Sequence, residues 1–341
     1  MFLGDLIKSK IGKEKSAPIR GISYDSRKLK RGDVFFAING QNTSGTKYIK
    51  EAIQKGASAI ISNKKINVRN KKLPTIVVND VRKKLAEACS NFYKKKPRNI
   101  IAVTGTNGKS SVADFYYQIL SLNKISAATI GTLGILSKKY RRKTNLTTMN
   151  PIFLHKNLQI LAKKKINHVI LEASSHGLDQ KRLDNLNISA GIFTNLSHDH
   201  LDYHKNMNAY LKAKIYLFNK LLKKNSEIIT DEDNKEFKII KNIANNRKIK
   251  KSTIGINSGN IKILSKRYIN NGQEIKILYK SKVFDLEVPL IGFFQVKNLL
   301  MAVLAALKLG LKHNVIFKQI KKIKPVSGRL EPVASLNNNS N

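Results

Sequence analysis

Ile100-Ile101-Ala102-Val103-Thr104-Gly105-Thr106-Asn107-Gly108-Lys109-Ser110-Ser111 reads as a strand, a glycine-rich turn and the opening of a helix. The apolar, partly β-branched run 100–103 predicts a short buried strand, and helical periodicity begins at Lys109. Gly105 and Gly108 let the backbone curl so that successive N–H groups face one anion, and the helix N-terminus adds partial positive charge there. In such a loop Lys109 reaches the outer phosphates of a nucleotide, and the Ser110 hydroxyl sits on Mg²⁺. The match to G-x-x-x-x-G-K-[ST] is not strict: Val103 occupies the first glycine position, so the loop is a shorter variant. The plain alternative is a strand–turn–helix corner with a chance Gly-Lys-Ser. Strand, glycines, lysine, hydroxyl and helix nevertheless fall in the order that phosphate binding needs. Val112, Phe115, Tyr116, Ile119 and Leu120 share one face of the helix.

Downstream of this loop, strands alternate with helices, which predicts an α/β fold whose mostly parallel sheet is covered on both faces. Residues 127–130 are strand-like, and Pro151 suits the first turn of a helix. The buried strand 168–171 delivers Glu172-Ala173-Ser174-Ser175-His176-Gly177 at its C-terminal end, where open α/β sheets bind ligands. Glu172 is thereby the candidate for a second Mg²⁺ contact. A strand at 191–194 runs into Asn195-Leu196-Ser197-His198-Asp199-His200-Leu201-Asp202-Tyr203-His204. Three His and two Asp within seven residues suggest a metal. The rival reading is a dinuclear metallohydrolase with H-x-H-x-D-H, but Tyr203 breaks that spacing and the glycine-rich loop is left unexplained. A solvated loop stays open for His198 and His204. Residues 210–218 read as a helix on which Lys214, by pattern alone, is an ordinary surface lysine. Residues 221–289 read as a β-rich flank, with strands at 274–279 and 283–288, and 292–310 as a helix.

Upstream, residues 1–97 read as a small α/β domain. Within it, Tyr24, Ser26 and Arg27 precede a strand and the polar loop Gly40-Gln41-Asn42-Thr43-Ser44-Gly45. Ser26 and Arg27 are able to hold a phosphate, although a turn serine and a surface arginine are the commoner case. Lys94-Lys95-Lys96-Pro97-Arg98 reads as a linker into a central domain, 98–331, and 332–341 as a polar tail that starts a further linker.

At 341 residues the chain is long enough for two cores. Its net charge of +42 comes from lysines scattered among Asn and Ile, not gathered on one element with interleaved aromatics. That pattern signifies compositional bias and attraction for anionic substrates, and argues against nucleic-acid binding as the main function. The most apolar run, 299–311, is 13 residues and contains Lys308, so it reads as a buried helix and not a membrane span. The N-terminus lacks the apolar core of a signal peptide, which leads one to expect a cytoplasmic protein. Cys89, the single cysteine, reads as a small core residue.

With T-G-T-N-G-K-S-S (104–111), E-A-S-S-H-G-L-D-Q-K-R (172–182) and the D-H-L-D loop in hand, the chain resembles the Mur ligases of peptidoglycan synthesis. The second motif points to the branch that adds the third residue of the stem peptide. The resemblance covers about residue 20 to Glu331 and implies an ATP- and Mg²⁺-dependent ligase that joins a diamino acid to a UDP-muramoyl dipeptide through an acyl phosphate. Diaminopimelate is favoured over lysine, and the enzyme would be a monomer acting without nucleic acid or membrane. By this resemblance Tyr24, Ser26 and Gln41-Asn42-Thr43 hold the uridine-diphosphate end. Thr147, Thr148, Ser174, Gln180 and Arg182 hold the muramoyl dipeptide. Gly105, Thr106, Asn107, Gly108, Lys109, Ser110 and Ser111 bind ATP, with Asn298 and Arg329 also on the nucleotide side. Ser110, Glu172 and His200 are implied Mg²⁺ ligands, and Lys214 matches the family lysine that carries a carbamate. Met149 stands where Pro or Gly is more usual. Gln295 stands where Asn is usual, which leaves one nucleotide-side contact open. The family's third domain, which recognises the incoming amino acid, has no counterpart before Asn341. The chain is therefore expected to bind its substrates but to complete little ligation alone. A protein that only binds a UDP-sugar and a nucleotide is the alternative.

Overall fold

The computed structural model describes residues 1–7, 13–40, 43–67, 72–270, 272–326 and 328. Along the chain run α1 (Leu3–Leu6), β1 (Gly21–Ser23), β2 (Asp33–Phe36), α2 (Ile49–Gln54), β3 (Ala59–Ser62), β4 (Thr75–Val77) and α3 (Val81–Phe92). The glycine-rich segment supplies β5 (Asn99–Thr104) and α4 (Lys109–Leu122), followed by β6 (Ala127–Gly131), β7 (Gly134–Leu136), α5 (Pro151–Lys163), β8 (His168–Glu172), α6 (Ser175–Asp179) and β9 (Ile188–Phe193). Next come α7 (Leu201–His204), α8 (Met207–Tyr216), β10 (Leu222–Asp231), α9 (Phe237–Arg247) and β11 (Lys250–Gly255). A meander of β12 (Ile261–Ile269), β13 (Gly272–Tyr279) and β14 (Lys282–Val288) leads to α10 (Phe293–Leu307) and α11 (His313–Gln319).

These elements form two compact units. The first takes the described residues of Met1–Pro97 together with Met149–Lys165 and His176–Leu186; the other described residues make the second. In the first unit four parallel strands lie in the order β1-β2-β3-β4. All four residues of β2 are buried, as a central parallel strand requires. Phe36 packs with Leu3, Leu6, Val81, Leu85 and Cys89, while Phe35 on the opposite face packs with Ile49, Ala52 and Ile60. Asn150 caps α5 by accepting from the Phe153 N–H at 2.9 Å, and Pro151 occupies its first turn, where no N–H is needed.

The second unit is built on a ten-stranded sheet, β14-β13-β12-β11-β10-β9-β5-β8-β6-β7. The seven strands from β12 to β6 are mutually parallel, and the edges are antiparallel. Residues 100–104 of β5 are wholly buried between β9 and β8. Because the chain leaves β5 toward one side of the sheet and later returns to the other, a crevice opens at its C-terminal end. On α4, Val112, Phe115, Tyr116, Ile119 and Leu120 are all buried. They pack beside α10, whose residues 298–306 are buried around the whole circumference. Each large side chain removed from water here contributes about 1.5–3 kcal/mol before entropy is charged against it.

Candidate functional site

The loop between β5 and α4 is shaped by two glycines. Gly105 has φ +149°, and a Cβ there would collide with the Thr194 hydroxyl; Gly108, with φ +84°, immediately precedes α4 and lies against the Asn298 carboxamide. With glycine at this position no side chain caps α4, so its first N–H groups are left for an anion. The chain after β9 holds the loop in place. Thr106 N–H donates to the Asn195 carbonyl at 3.0 Å, and Asn107 N–H to Asn195 Oδ1 at 2.9 Å. The Thr106 hydroxyl lies 3.2 Å from the Tyr210 hydroxyl and accepts from Ser197 N–H at 3.0 Å. Lys109 folds over the loop, donating to the carbonyls of Gly105 at 2.9 Å and Thr106 at 2.7 Å.

Glu172, at the end of β8, is 4% exposed. Its Oε1 accepts from the Ser110 hydroxyl at 3.0 Å and from Thr132 N–H at 2.9 Å, while Oε2 accepts from the Thr132 hydroxyl at 3.1 Å. The neighbouring Thr148 hydroxyl donates to the Glu172 carbonyl at 2.8 Å and accepts from Ser174 N–H at 2.8 Å, and Thr147 meets Thr132 hydroxyl to hydroxyl at 3.1 Å.

Lys214 differs from its pattern-based reading. It is 1% exposed, because α8 turns this residue toward the phosphate loop. Its amine donates to the Gly105 carbonyl at 2.7 Å and sits 4.2 Å from the centre of the Tyr210 ring. Burial, and next the Lys109 charge, push its pKa down to about 6. His200 is about half exposed, has φ +53° and lies 3.5 Å from the Asp199 carboxylate. Among the described residues no group of three His, Cys, Asp or Glu is placed to hold a metal, so His198, His200 and His204 do not converge.

One cavity of about 720 Å³ gathers Thr106 to Ser111, Thr132, Thr147, Glu172, Ser174, His200, Tyr210, Lys214 and, from α10, Phe294, Gln295 and Asn298. Gln295 and Asn298 are buried and hydrogen-bonded, Asn298 Nδ2 donating to Gln295 Oε1 at 3.1 Å. Sequence reasoning passed over Thr132, Asn195, Tyr210 and Phe294. Thr132 and Asn195 follow the C-terminal ends of parallel strands, a signal that could have found them.

The remaining expected residues lie in the first unit. Gln180 and Arg182 join each other there, the guanidinium donating to Gln180 Oε1 at 2.7 Å. Burial of the Tyr24 phenol, and next the Asp25 charge, raise its pKa, while the Arg182 charge opposes the shift. Ser26 is buried and its hydroxyl donates to Glu51 at 2.7 Å. Thr43 is exposed. Gln41, Asn42 and Arg329 lie outside the described residues.

A glycine-rich loop between a central parallel strand and an uncapped helix, with a lysine, a hydroxyl and a buried carboxylate converging on it, defines a P-loop nucleotide-binding α/β protein. Residues 103–306 match the model of the Mur ligase middle domain, and residues 18–93 that of the Mur ligase family catalytic domain. The chain belongs to the Mur ligase family. It is 38% identical over 323 residues to the UDP-N-acetylmuramoyl-L-alanyl-D-glutamate--2,6-diaminopimelate ligase of Rickettsia conorii, covering 94% of this chain and 67% of that one. To the same-named ligase of Agrobacterium fabrum it is 37% identical, covering 98% and 68%. A solved structure of such a ligase superposes with a TM-score of 0.86 at 30% identity, covering 96% of this chain and 68% of that chain. The MurF ligase of Thermotoga maritima in complex with ADP, at 20% identity, has the same fold with a TM-score of 0.60, covering 92% and 68%. The chain thus spans about two thirds of the length of these relatives. No helix among the described residues is long and apolar enough to cross a membrane.

Proposed function

We propose that this chain serves ATP-dependent amide ligation in the cytoplasm, as a monomer, joining meso-diaminopimelate to UDP-N-acetylmuramoyl-L-alanyl-D-glutamate, the reaction for which its relatives are named. The observation that carries this reading is the convergence of Lys109, Ser110, Glu172 and Lys214 on one cavity beside the P-loop. A carboxylate is a poor electrophile, so the γ-phosphoryl group of ATP passes first to the substrate carboxylate. The amine then attacks the acyl phosphate and releases phosphate. Charge builds on the transferring oxygens in both steps, and Lys109 with the N–H groups of the loop offsets it.

The donor set suits Mg²⁺. The Ser110 hydroxyl and the Glu172 carboxylate are oxygen donors 3.0 Å apart, and Mg²⁺ takes one or two carboxylates plus phosphate oxygens and water. When bound, the ion neutralises phosphate charge. His200 lines the same cavity and would supply a further ligand. Burial keeps the Lys214 amine largely neutral, the form that adds CO₂ and gives up a proton to become a carbamate. Gly105 to Ser111, with Asn298 and Arg329, hold the nucleotide. Thr147, Thr148, Ser174, Gln180 and Arg182 hold the muramoyl dipeptide, and Tyr24, Ser26, Gln41, Asn42 and Thr43 its uridine-diphosphate end.

Calorimetry should show ATP binding strengthened by Mg²⁺, and separate binding of UDP-N-acetylmuramoyl-L-alanyl-D-glutamate. Failure to bind either ATP or the dipeptide substrate would overturn the reading.

A further inference from the structure

The basic charge of this protein is scattered, with one exception. Lys138-Lys139-Tyr140-Arg141-Arg142-Lys143 is the only six-residue window in the chain with five basic residues, and no acidic residue occurs between Asp114 and Glu172. The five basic residues are exposed. Lys138, Lys139, Arg141 and Lys143 form no ion pair among the described residues.

This cluster is held in a defined shape. The buried Ser137 hydroxyl donates to the Tyr140 carbonyl and accepts from Tyr140 N–H, both at 2.9 Å. Arg142 then pairs back onto β7, exchanging backbone hydrogen bonds of 2.8 and 3.0 Å with Ile135. The Thr144 hydroxyl donates to the carbonyl of Gly131 at 3.2 Å, and the chain runs on to Thr147 in the cavity wall. Leu136, where the loop departs, pairs with Thr129, two residues down β6 from Gly131. Lys143 immediately precedes Thr144, whose hydroxyl reaches the Gly131 carbonyl, so this end of the loop meets the strand end that bears the cavity, while Lys138 and Lys139 lie farther back along the hairpin. Charge at the rim of a cleft acts on an approaching ion most strongly at low salt, where the Debye length is about 30 Å at 0.01 M against about 8 Å at physiological salt.

The loop also has a side. It edges β6 and β7, near Thr132 and Thr147, whereas Asn298 enters the cavity from α10, which packs on β10, β11 and α4. We propose that residues 138–143 are an electrostatic capture element for the anionic acceptor substrate of the cavity, the carboxylic acid that carries a diphosphate, and act on its association rate, not on its bound-state contacts. The inference rests on the reading under Proposed function, whose acceptor carries a diphosphate and carboxylates. Uncompensated charge beside a cleft raises encounter rates and leaves dissociation almost untouched.

The test is the association of UDP-N-acetylmuramoyl-L-alanyl-D-glutamate, and separately of ATP, by surface plasmon resonance at about 0.02 M and about 0.5 M salt. The variant Lys138→Gln/Lys139→Gln/Arg141→Gln/Lys143→Gln keeps Arg142 and its backbone pairing. A control of equal charge, Lys235→Gln/Lys238→Gln/Lys241→Gln/Lys248→Gln, alters exposed lysines in and around α9. The loop variant should slow association of the dipeptide substrate about 5–10-fold at low salt and by less than about 2-fold at high salt, with the dissociation rate unchanged. ATP and the control variant should show the smaller effect. Equal slowing by both variants, equal slowing of ATP, or a loss that persists at high salt with faster dissociation would each overturn the proposal while leaving the ligase reading intact. No binding of the dipeptide substrate by the unaltered chain overturns both.

Discussion

The amine of Lys214, in the last turn of α8, donates to the carbonyl of Gly105 at 2.7 Å, tying that helix to the first residue of the phosphate loop. Because the buried amine has its pKa lowered from 10.5 to about 6, the unfolded chain holds a proton across that window which the native chain lacks. Stability therefore rises with pH from about 6 toward 10.5, and this contribution is lost as pH falls through about 6. Lys214→Met should flatten the pH dependence of unfolding in metal-free, CO₂-free buffer by up to one proton, about 1.4 kcal/mol per pH unit. An unchanged slope in denaturant titrations would count against it.

Glu172 is held by Ser110 and Thr132 at the rim of the loop. Glu172→Gln preserves shape and the acceptor that Ser110 and the Thr132 N–H use, makes the other position a donor that the Thr132 hydroxyl can accept from by rotating, and removes the charge. ATP affinity measured with Mg²⁺ should fall about tenfold or more, while affinity measured in a chelator should hardly change. Equal losses in both conditions would show that Glu172 serves only to support the loop.

At Gly105 conformation and space act together. Gly105→Ala meets the Thr194 hydroxyl and must also adopt φ +149°, so nucleotide affinity should drop at least about tenfold and stability by about 1–3 kcal/mol. Adding Thr194→Ala should recover only part, since the Asn195 backbone stands 3.0 Å from the same Cβ. Full recovery in calorimetry and thermal unfolding would mean that the hydroxyl alone excludes a side chain.

Lys297 lies 2.8 Å from Asp231 and 2.7 Å from Asp233, joining the first turns of α10 to the end of β10. With 17% of the lysine and 5% of Asp231 exposed, Lys297→Met leaves a carboxylate almost buried and unmatched. The cost should be about 2–4 kcal/mol by urea unfolding, somewhat under that of a fully buried pair. Asp231→Asn in the same chain should return much of it; strictly additive losses would argue against a direct pair.

His155 is wholly buried in α5, and neither ring nitrogen has a hydrogen-bond partner among the described residues. Burial, and next the Lys96 charge, lower its pKa from 6.5 to about 3. The unfolded chain is protonated across that interval and the native chain is not, so this group makes stability fall as pH drops from about 6.5 to about 3. His155→Leu should flatten the acid limb and, by removing unsatisfied polar atoms, stabilise the protein by about 1–2 kcal/mol at neutral pH. A destabilised variant with an unaltered acid limb would refute this.

Much of the fold was legible because its signals are local. β5 and α4 follow from an apolar run, two glycines and a stripe of Val112, Phe115, Tyr116, Ile119 and Leu120. The meander of β13 and β14 was visible as alternating segments. β1 was missed, since three residues carry too little periodicity. Nor does an amphipathic helix name its partner: α5 lies among strands of the second unit in sequence, yet packs beside α3 in the first.

The site divides in the same way. Backbone chemistry sufficient for an anion is written into residues 104–111, because glycines, an uncapped helix start and a lysine act within one turn of each other. The chain order also put Glu172 at a strand end, where a ligand group is useful. The burial of Lys214, the hold of Thr132 on Glu172 and the entry of Asn298 beside Gly108 depend on contacts between residues 40 to 190 positions apart. By itself the sequence determined which segments curl, extend or coil. The tertiary structure alone decided which lysine loses its water and which carboxylate faces the phosphate loop, since desolvation and convergence are properties of packed elements and not of the segments that form them.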